Sequence, residues 1–286
     1  HHVLVALLAL GSGVTACAAA ELHPVLSLLD LSRAGLEQVR EAAERGDGPS
    51  AETALRAYYR QRETPVAVGD RGRRPQPDGR YDTTAAQRVL RREFSFVGKP
   101  AALTHDIDWN SDPLKDIEWP IELNRHGPWV TLARAYWSTH DEKYAQDLAY
   151  QIADWIADNP RPETPQQARW TWRTLECGIR TSGTWPETLF RAMDAEAFTP
   201  RLLCDMLLCI WEQTDYMTDF HGGGNWLVCE RSGMLTSSVL FPEFLDAAKW
   251  QDLAWTDLSA ALADQVLPDG AQIELTPHYH SATLSS

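Results

Sequence analysis

Apolar residues recur at steps of three and four over most of residues 129–266, and hardly any stretch there alternates apolar and polar residues as a half-buried strand would. The clearest case is the segment 142–157, where one helical face carries Tyr144, Leu148, Ile152, Trp155 and Ile156. The spacing predicts helices at Trp129–Tyr136, Glu142–Ala157, Trp170–Ala192, Pro200–Phe220, Asn225–Leu240 and Ala247–Val266. Pro and Asn breakers separate them at the intervals of helical hairpins. This pattern predicts an all-α fold, an incomplete (α/α) toroid.

The first third of the chain has a weaker pattern. Apolar spacing predicts short helices at Ser32–Val39 and Ala51–Arg62, whereas residues 66–84 are rich in Gly, Pro, Arg and Asp and predict a long loop. Residues 107–126 mix Trp, Asn, Arg and His without helical rhythm, which favours a loop lining a site. We therefore divide the chain into N-terminal helices with a linker, 21–84, and a toroid, 85–286.

The extreme N-terminus has the features of an export signal. Val3–Leu10 is an apolar run too short to span a bilayer, and small residues follow it. The sequence Val14-Thr15-Ala16-Cys17 resembles a bacterial lipoprotein box. We expect a signal peptide at 1–20, a lipid anchor at Cys17, and a location in the periplasm or on the outer membrane. A plain signal cleaved near Ala20 is the alternative.

The overall charge excludes some classes of partner. A net charge of −14 argues against nucleic acid and anionic membranes, which need a basic surface. An anionic substrate would need local positive groups, and the middle third of the chain contains Arg125, His126, Arg169, Arg173 and Arg180. Cys177, Cys204, Cys209 and Cys229 form no CxxC pair and are expected to be free thiols.

Two polar motifs are candidate binding elements. The trio Asn124-Arg125-His126 suits hydrogen bonding to hydroxyls and carboxylates. Further on, Arg173, Glu176 and Arg180 share one helix face. Their spacing fits either an ion-pair ladder or an arginine that Glu176 orients toward a uronate or sulfate.

A second pair of motifs suggests chemistry. His221 and three glycines lead into Asn225, where a helix start would favour a substrate carboxylate. Near the end, Tyr279 lies between His278 and His280, and positive neighbours could lower its pKa enough for proton transfer. The two histidines make only a weak metal site because no third ligand is evident. This set suits β-elimination at a uronic acid.

These motifs resemble the heparinase II/III-type polysaccharide lyases, most closely the heparinase III (heparan-sulfate lyase) branch. The resemblance rests on Glu118-Trp119 with Leu123–His126, Trp172–Arg180, Asn225-Trp226, Phe241–Phe244 and Asp269–His280. It implies that Asn225 neutralises the substrate carboxylate and that Tyr279 is the catalytic tyrosine. The family adds a C-terminal antiparallel β-sandwich with a further catalytic histidine. We therefore expect this chain to be the front part of a longer lyase, or else a truncated relative that binds without cutting.

The resulting hypothesis is a lyase for a glycosaminoglycan such as heparan sulfate. The predicted substrate-binding residues are Asn124, Arg125, His126, Trp172, Arg173, Glu176, Arg180, His221, Trp226, Glu230, Gln272, His278 and His280. No cofactor is expected in this segment, while a metal in the C-terminal domain and the oligomeric state stay open. The alternatives are a lyase for alginate or another uronate polymer, a glycosidase using Asp215, Asp219 or Glu230, and a non-catalytic glycan-binding lipoprotein.

Overall fold

A computed structural model describes residues 21–67, 74–267 and Ile273. In this part of the chain the α-helices are α1 (Glu37–Glu44), α2 (Gly48–Gln61), α3 (Thr84–Leu90), α4 (Glu118–Leu123), α5 (Gly127–Thr139), α6 (Glu142–Asp158), α7 (Thr174–Ile179), α8 (Trp185–Ala192), α9 (Pro200–Asp219), α10 (Asn225–Leu240) and α11 (Ala247–Gln265). A π-helical turn, Arg180–Thr184, joins α7 to α8. Strands β1 (Glu93–Phe96) and β2 (Lys99–Ala102) form an antiparallel hairpin.

Successive helices pack against each other, which confirms the predicted incomplete (α/α) toroid. The neighbours α1 and α2, α5 and α6, and α10 and α11 are in contact, and α9 lies against α2, α6, α7 and α10. Helix α9 begins where Thr199 accepts a hydrogen bond from the Leu202 N–H at 3.1 Å and Pro200 occupies the first turn. Among the helices of the described ranges, none combines the length and apolar character needed to span a membrane.

Tryptophans form much of the core around which these helices pack. The fully buried ones are Trp119, Trp129, Trp155, Trp172, Trp185 and Trp250. The predicted face of α6 is buried as well, with Tyr144, Leu148, Ile152 and Trp155 inside and Ile156 half-buried. The cysteines of the described ranges, Cys177, Cys204, Cys209 and Cys229, form no disulfide, as expected.

The N-terminal helices join the same core through a buried ion pair. Arg62 Nη1 donates to Glu243 Oε1 at 2.6 Å, and the same oxygen accepts from the Tyr58 hydroxyl at 2.6 Å. Burial and the neighbouring Glu243 carboxylate raise the pKa of Tyr58 to about 12. Because Glu243 precedes Phe244, which bridges to Leu29, this pair fixes residues 21–62 against the toroid.

Several predicted boundaries were wrong. The helix expected at Trp170–Ala192 starts only at Thr174, because residues 170–173 form a turn. The first short helix begins at Glu37, since Ser32 instead bonds the Asp30 side chain.

The expected loop 107–126 contains α4, and the hairpin before it was missed. Helix α4 forms because Trp119, Ile121 and Leu123 are all buried by tertiary packing. The hairpin turn uses positive φ at Val97 (48°) and Gly98 (75°), without the Asn-Gly pair that marks such turns in a sequence.

Candidate functional site

A buried carboxylate holds two arginines at the start of α7. Glu176 is fully buried, and its Oε1 accepts a hydrogen bond from Arg125 Nη2 at 3.2 Å. Its Oε2 lies 3.3 Å from Arg173 Nε. Burial raises the pKa of Glu176, and the arginines act against that shift by favouring the ionised form. We call these three residues the arginine–glutamate cluster.

Both arginines of the cluster are partly open to solvent. Their side chains are 26% exposed at Arg125 and 21% at Arg173. Arg125 is also paired with Glu122, three residues before it on α4. Arg173 has no hydrogen-bond partner within the described ranges. Its guanidinium carbon lies 4.8 Å from the centroid of the Trp226 ring. Arg173 and Glu176 therefore form part of an ion-pair network, but the expected ladder is incomplete, because Arg173 precedes α7 and Arg180 donates to Gln213 instead. The other expected role, a guanidinium that Glu176 orients toward a uronate or sulfate, stays a prediction.

A glycine loop beside Trp226 leads into α10. The backbone N–H of Gly222 donates to both carboxylate oxygens of Glu230, at 3.0 and 2.9 Å. Gln265 Nε2 donates to the carbonyl of Gly224 at 3.0 Å, and Gly224 has a φ of 59°. The loop is thus held by α10 at one end and by α11 at the other. Half-buried Asn225 follows as the first residue of α10, at the positive end of the helix dipole.

Two glycines bring the helix of Glu176 close to α10. A Cβ on Gly178 would lie 2.7 Å from the carbonyl oxygen of Cys229, and one on Gly233 would lie 2.6 Å from the carbonyl oxygen of Gly178. Only glycine permits this approach of the two backbones. It places the arginine–glutamate cluster beside the first turns of α10, where Arg173 lies over the Trp226 ring.

Asn124 is buried in the core rather than facing a cleft. Its side-chain nitrogen donates to the carbonyls of Trp109 and Pro120, both at 2.8 Å, and its oxygen accepts from Trp155 Nε1 at 3.0 Å. Arg180, also fully buried, donates to the Asn124 carbonyl at 2.9 Å. The expected substrate contacts of Asn124 and Arg180 do not agree with this burial, since their polar groups are already engaged inside the protein.

His126 is likewise enclosed. It is fully buried, it stacks on Trp129 with ring centroids 3.8 Å apart, and its Nδ1 accepts a hydrogen bond from Trp185 Nε1 at 2.8 Å. Burial and the nearby charge of Arg180 hold its pKa well below the usual value. A neutral, enclosed ring cannot pair with an anionic sugar, so direct contact by His126 is not supported.

Trp172 and Glu230 are also buried, and each hydrogen-bonds to the backbone of a neighbouring loop. The Trp172 ring is 2% exposed, and its Nε1 donates to the carbonyl of Asn159 at 2.8 Å. Glu230 is fully buried and engaged by Gly222. The expected contact residues that do reach the surface here are Arg125, Arg173, His221 and Trp226.

The remaining predicted residues, Gln272, His278, Tyr279 and His280, lie outside the described residues, as do the signal segment 1–20 and Cys17. Two residues of the site were missed by sequence reasoning. Glu122 could have been found from its i,i+3 spacing to Arg125. Gln265 had no signal, because its partner Gly224 is distant in sequence.

Two of the three carboxylates proposed for a glycosidase already have partners inside the protein. Glu230 is bound to the Gly222 amide, and Asp215 Oδ2 accepts from Arg161 Nη1 at 2.8 Å. Within the described ranges, one cluster of three aspartates could hold a cation. Its members are Asp106, Asp154 and Asp158, and one carboxylate oxygen from each lies within 4.8 Å of the others. One of these, Asp154, already accepts a hydrogen bond from Trp109 Nε1 at 2.8 Å.

Comparison with known proteins gives one consistent family. Residues 25–286 match the family described as Heparinase II/III N-terminus. The chain is 31% identical to a heparin-sulfate lyase of Pedobacter heparinus, over 99% of this chain and 44% of the relative. It is 30% identical to one from Bacteroides thetaiotaomicron, over 90% of this chain and 38% of the relative.

Solved structures agree with that match. A crystal structure of heparinase III superposes with a TM-score of 0.83 at 28% identity, covering 92% of this chain and 42% of that one. A crystal structure of heparan sulfate lyase from Pedobacter heparinus superposes with a TM-score of 0.77 at 31% identity, covering 92% of this chain and 42% of that one. The chain thus spans less than half the length of these relatives.

Proposed function

The chain belongs to the heparinase II/III family, and from this premise we propose that it takes part in cleaving a heparan-sulfate-like glycosaminoglycan by β-elimination. The observation that carries the proposal is the arginine–glutamate cluster beside the N-terminus of α10. Arg173 lies over Trp226, the residue after Asn225, so a guanidinium and a helix start meet at one place. Both favour a carboxylate. The relatives' names as heparin-sulfate and heparan sulfate lyases support the choice of polymer.

The chemistry requires a neutralised carboxylate. The C5 proton of a uronate is barely acidic while the carboxylate next to it is ionised. Hydrogen bonds from Asn225 and Arg173 to that carboxylate would stabilise the charge that develops as the proton leaves. Tyr279 is assigned by resemblance as the group that takes the C5 proton. The electron pair then forms the C4–C5 double bond, the C4–O4 bond breaks, and an acid protonates the departing O4.

The test is incubation of the full-length protein with heparan sulfate, heparin, chondroitin sulfate and alginate. The absorbance of the unsaturated uronate product is followed over time. We expect product from heparan sulfate, a loss of at least about a hundredfold in kcat for Asn225→Ala, and a similar loss for Tyr279→Phe. Depolymerisation without new ultraviolet absorbance would overturn the lyase proposal, and full activity in Tyr279→Phe would overturn the assignment of the base.

We further propose that the protein is exported and carries a lipid on Cys17. The support is the short apolar run Val3–Leu10 and the lipoprotein-like Val14–Cys17. The natural chain, produced in a bacterium with labelled palmitate, should incorporate label and fractionate with membranes, and Cys17→Ser should do neither. A wild-type protein found unlabelled in the periplasm would overturn the anchor and leave the plain signal.

A further inference from the structure

A cavity opens beyond the end of α6, and its lining reaches Trp172, the residue before Arg173 of the arginine–glutamate cluster. Its volume is ≈ 330 Å³, and its polar lining includes Asn110, Arg161, Gln167 and Arg169. Small-molecule pockets span about 300–1,000 Å³, so this one has room for a single small group such as one sugar ring. Amide and guanidinium groups are suited to hydroxyls and anionic substituents.

The chain connects this cavity directly to the cluster. Trp172 forms part of its lining, and the next residue is Arg173, whose Nε lies 3.3 Å from Glu176. On another wall, Arg161 Nη1 donates to Asp215 of α9 at 2.8 Å. Helix α9 ends at Asp219, immediately before the glycine loop that leads to Asn225. The cavity and the proposed site therefore lie at the same end of the helices.

Arg169 is the unusual residue of the cavity. Its φ is 38°, in the left-handed region that is unfavourable for a residue with a Cβ. It is exposed, and no described residue forms a hydrogen bond or ion pair with it. Strained backbone of this kind concentrates at ligand sites, where the surroundings hold it in place. Arg161, by contrast, is already paired with Asp215.

We propose that this cavity is a second saccharide subsite, which takes a neighbouring sugar of the same polymer and binds its carboxylate or sulfate through Arg169. The proposal rests on the proposed function, because it needs an acidic polysaccharide held at the cluster. The lining also contains Asp158 and Glu163. These two acids offset the charge of the two arginines, so binding of an anionic group in the cavity depends on Arg169, which no described residue pairs.

The test compares Arg169→Ala with Arg80→Ala in the full-length protein. Arg80 is a matched control because its side chain is 89% exposed and it does not line the cavity. Cleavage is measured on a heparan sulfate decasaccharide and on a tetrasaccharide. For Arg169→Ala we expect KM on the decasaccharide to rise about tenfold, as for loss of one charge-assisted hydrogen bond, with kcat unchanged. Arg80→Ala should match the wild type.

Arg169→Gly separates folding from binding. Glycine adopts a φ of 38° without strain, so this variant should be at least as stable as the wild type yet show the same rise in KM. Repeating the assay with a desulfated decasaccharide identifies the bound group, since a retained effect indicates the carboxylate and a lost effect indicates the sulfate.

The two proposals fail in different ways. A wild-type protein that cleaves heparan sulfate, with an unchanged KM in both Arg169 variants, would overturn the subsite and leave the lyase intact. A wild-type protein that neither binds the decasaccharide in titration calorimetry nor cleaves it would overturn both. An equal rise in KM for Arg80→Ala would show a general charge effect and would also overturn the subsite.

Discussion

Both carboxylate oxygens of Glu230 accept hydrogen bonds from the backbone N–H of Gly222, at 3.0 and 2.9 Å. Glu230 is fully buried in α10, and Gly222 lies in the loop before that helix. Helix α10 therefore holds the segment that leads to its own first residue, Asn225. Glu230 is therefore a positioning residue for the proposed chemistry. It is buried and its carboxylate oxygens are bonded to the loop, so it acts by holding Asn225 in place rather than by contacting the substrate.

Glu230→Gln should lower turnover more than binding. The amide keeps the size of the side chain but removes the charge from a hydrogen bond worth about 1.5–3 kcal/mol. The loop then loosens and Asn225 loses its alignment. We expect kcat on heparan sulfate to fall at least about tenfold with KM within about twofold of the wild type, and amide exchange at Gly222 to become faster.

The control for this variant is Glu93→Gln, because Glu93 lies on the hairpin, its side chain is 41% exposed and it pairs with Arg91. It should leave both kinetic constants unchanged. If Glu230→Gln instead raised KM with kcat intact, Glu230 would not be a positioning residue.

The glycine loop offers a matched pair of substitutions. A Cβ on Gly222 would lie 2.9 Å from the Cβ of Trp226, whereas a Cβ on Gly223 would meet nothing within 4 Å. Gly222→Ala must push Trp226 away from Arg173 and should cost about 1–3 kcal/mol of folding free energy together with most of the activity. Gly223→Ala should behave like the wild type. Equal activities in the two variants would contradict the idea that Trp226 must stay in place.

The sequence predicted the helices better than the site. The start of α10 was predictable because Gly222, Gly223 and Gly224 interrupt the helical spacing of apolar residues, and that spacing resumes after Asn225. The burial of Asn124 was not, since an Asn-Arg-His trio has the same residue types whether it faces solvent or the core. Here Trp155 and Arg180, far away in sequence, engage Asn124. The clamp of Gly222 by Glu230 was also missed, because carboxylates on helices more often face solvent or ion partners.

Glu176 should give the protein a distinctive dependence on pH. Burial raises its pKa, so the folded state holds this proton more tightly than the unfolded state. The resulting stabilisation is fully present below the unfolded pKa and is lost as pH rises through the folded pKa. The free energy of unfolding is measured by denaturant titration for the wild type and for Glu176→Gln at pH values between the unfolded and the folded pKa of Glu176. The wild-type value minus the variant value should fall as pH rises. A difference that is constant or increases with pH would refute the assignment.

The same group should shape activity. Below its raised pKa, Glu176 is neutral and holds Arg125 and Arg173 less firmly, so the wild-type rate should fall on the acid side. Glu176→Gln resembles the protonated form at every pH. We expect it to raise KM for heparan sulfate and to lose the part of the acid limb that Glu176 causes. If the fall in activity at low pH were the same in Glu176→Gln as in the wild type, a group other than Glu176 would cause it.

The close approach of α7 and α10 gives the sharpest test of the fold. A Cβ on Gly178 would lie 2.7 Å from the Cys229 carbonyl oxygen and 2.8 Å from the Glu230 Cα, and backbone atoms cannot move aside as side chains do. Gly178→Ala should therefore reduce the free energy of unfolding by about 1–3 kcal/mol or more in urea titration. Gly183→Ala is the control, because a Cβ at Gly183 meets nothing within 4 Å and alanine loses less backbone entropy on folding. It should be as stable as the wild type or slightly more so. An unchanged unfolding midpoint for Gly178→Ala would contradict the close approach of α7 and α10, and with it the placement of the cluster beside the first turns of α10.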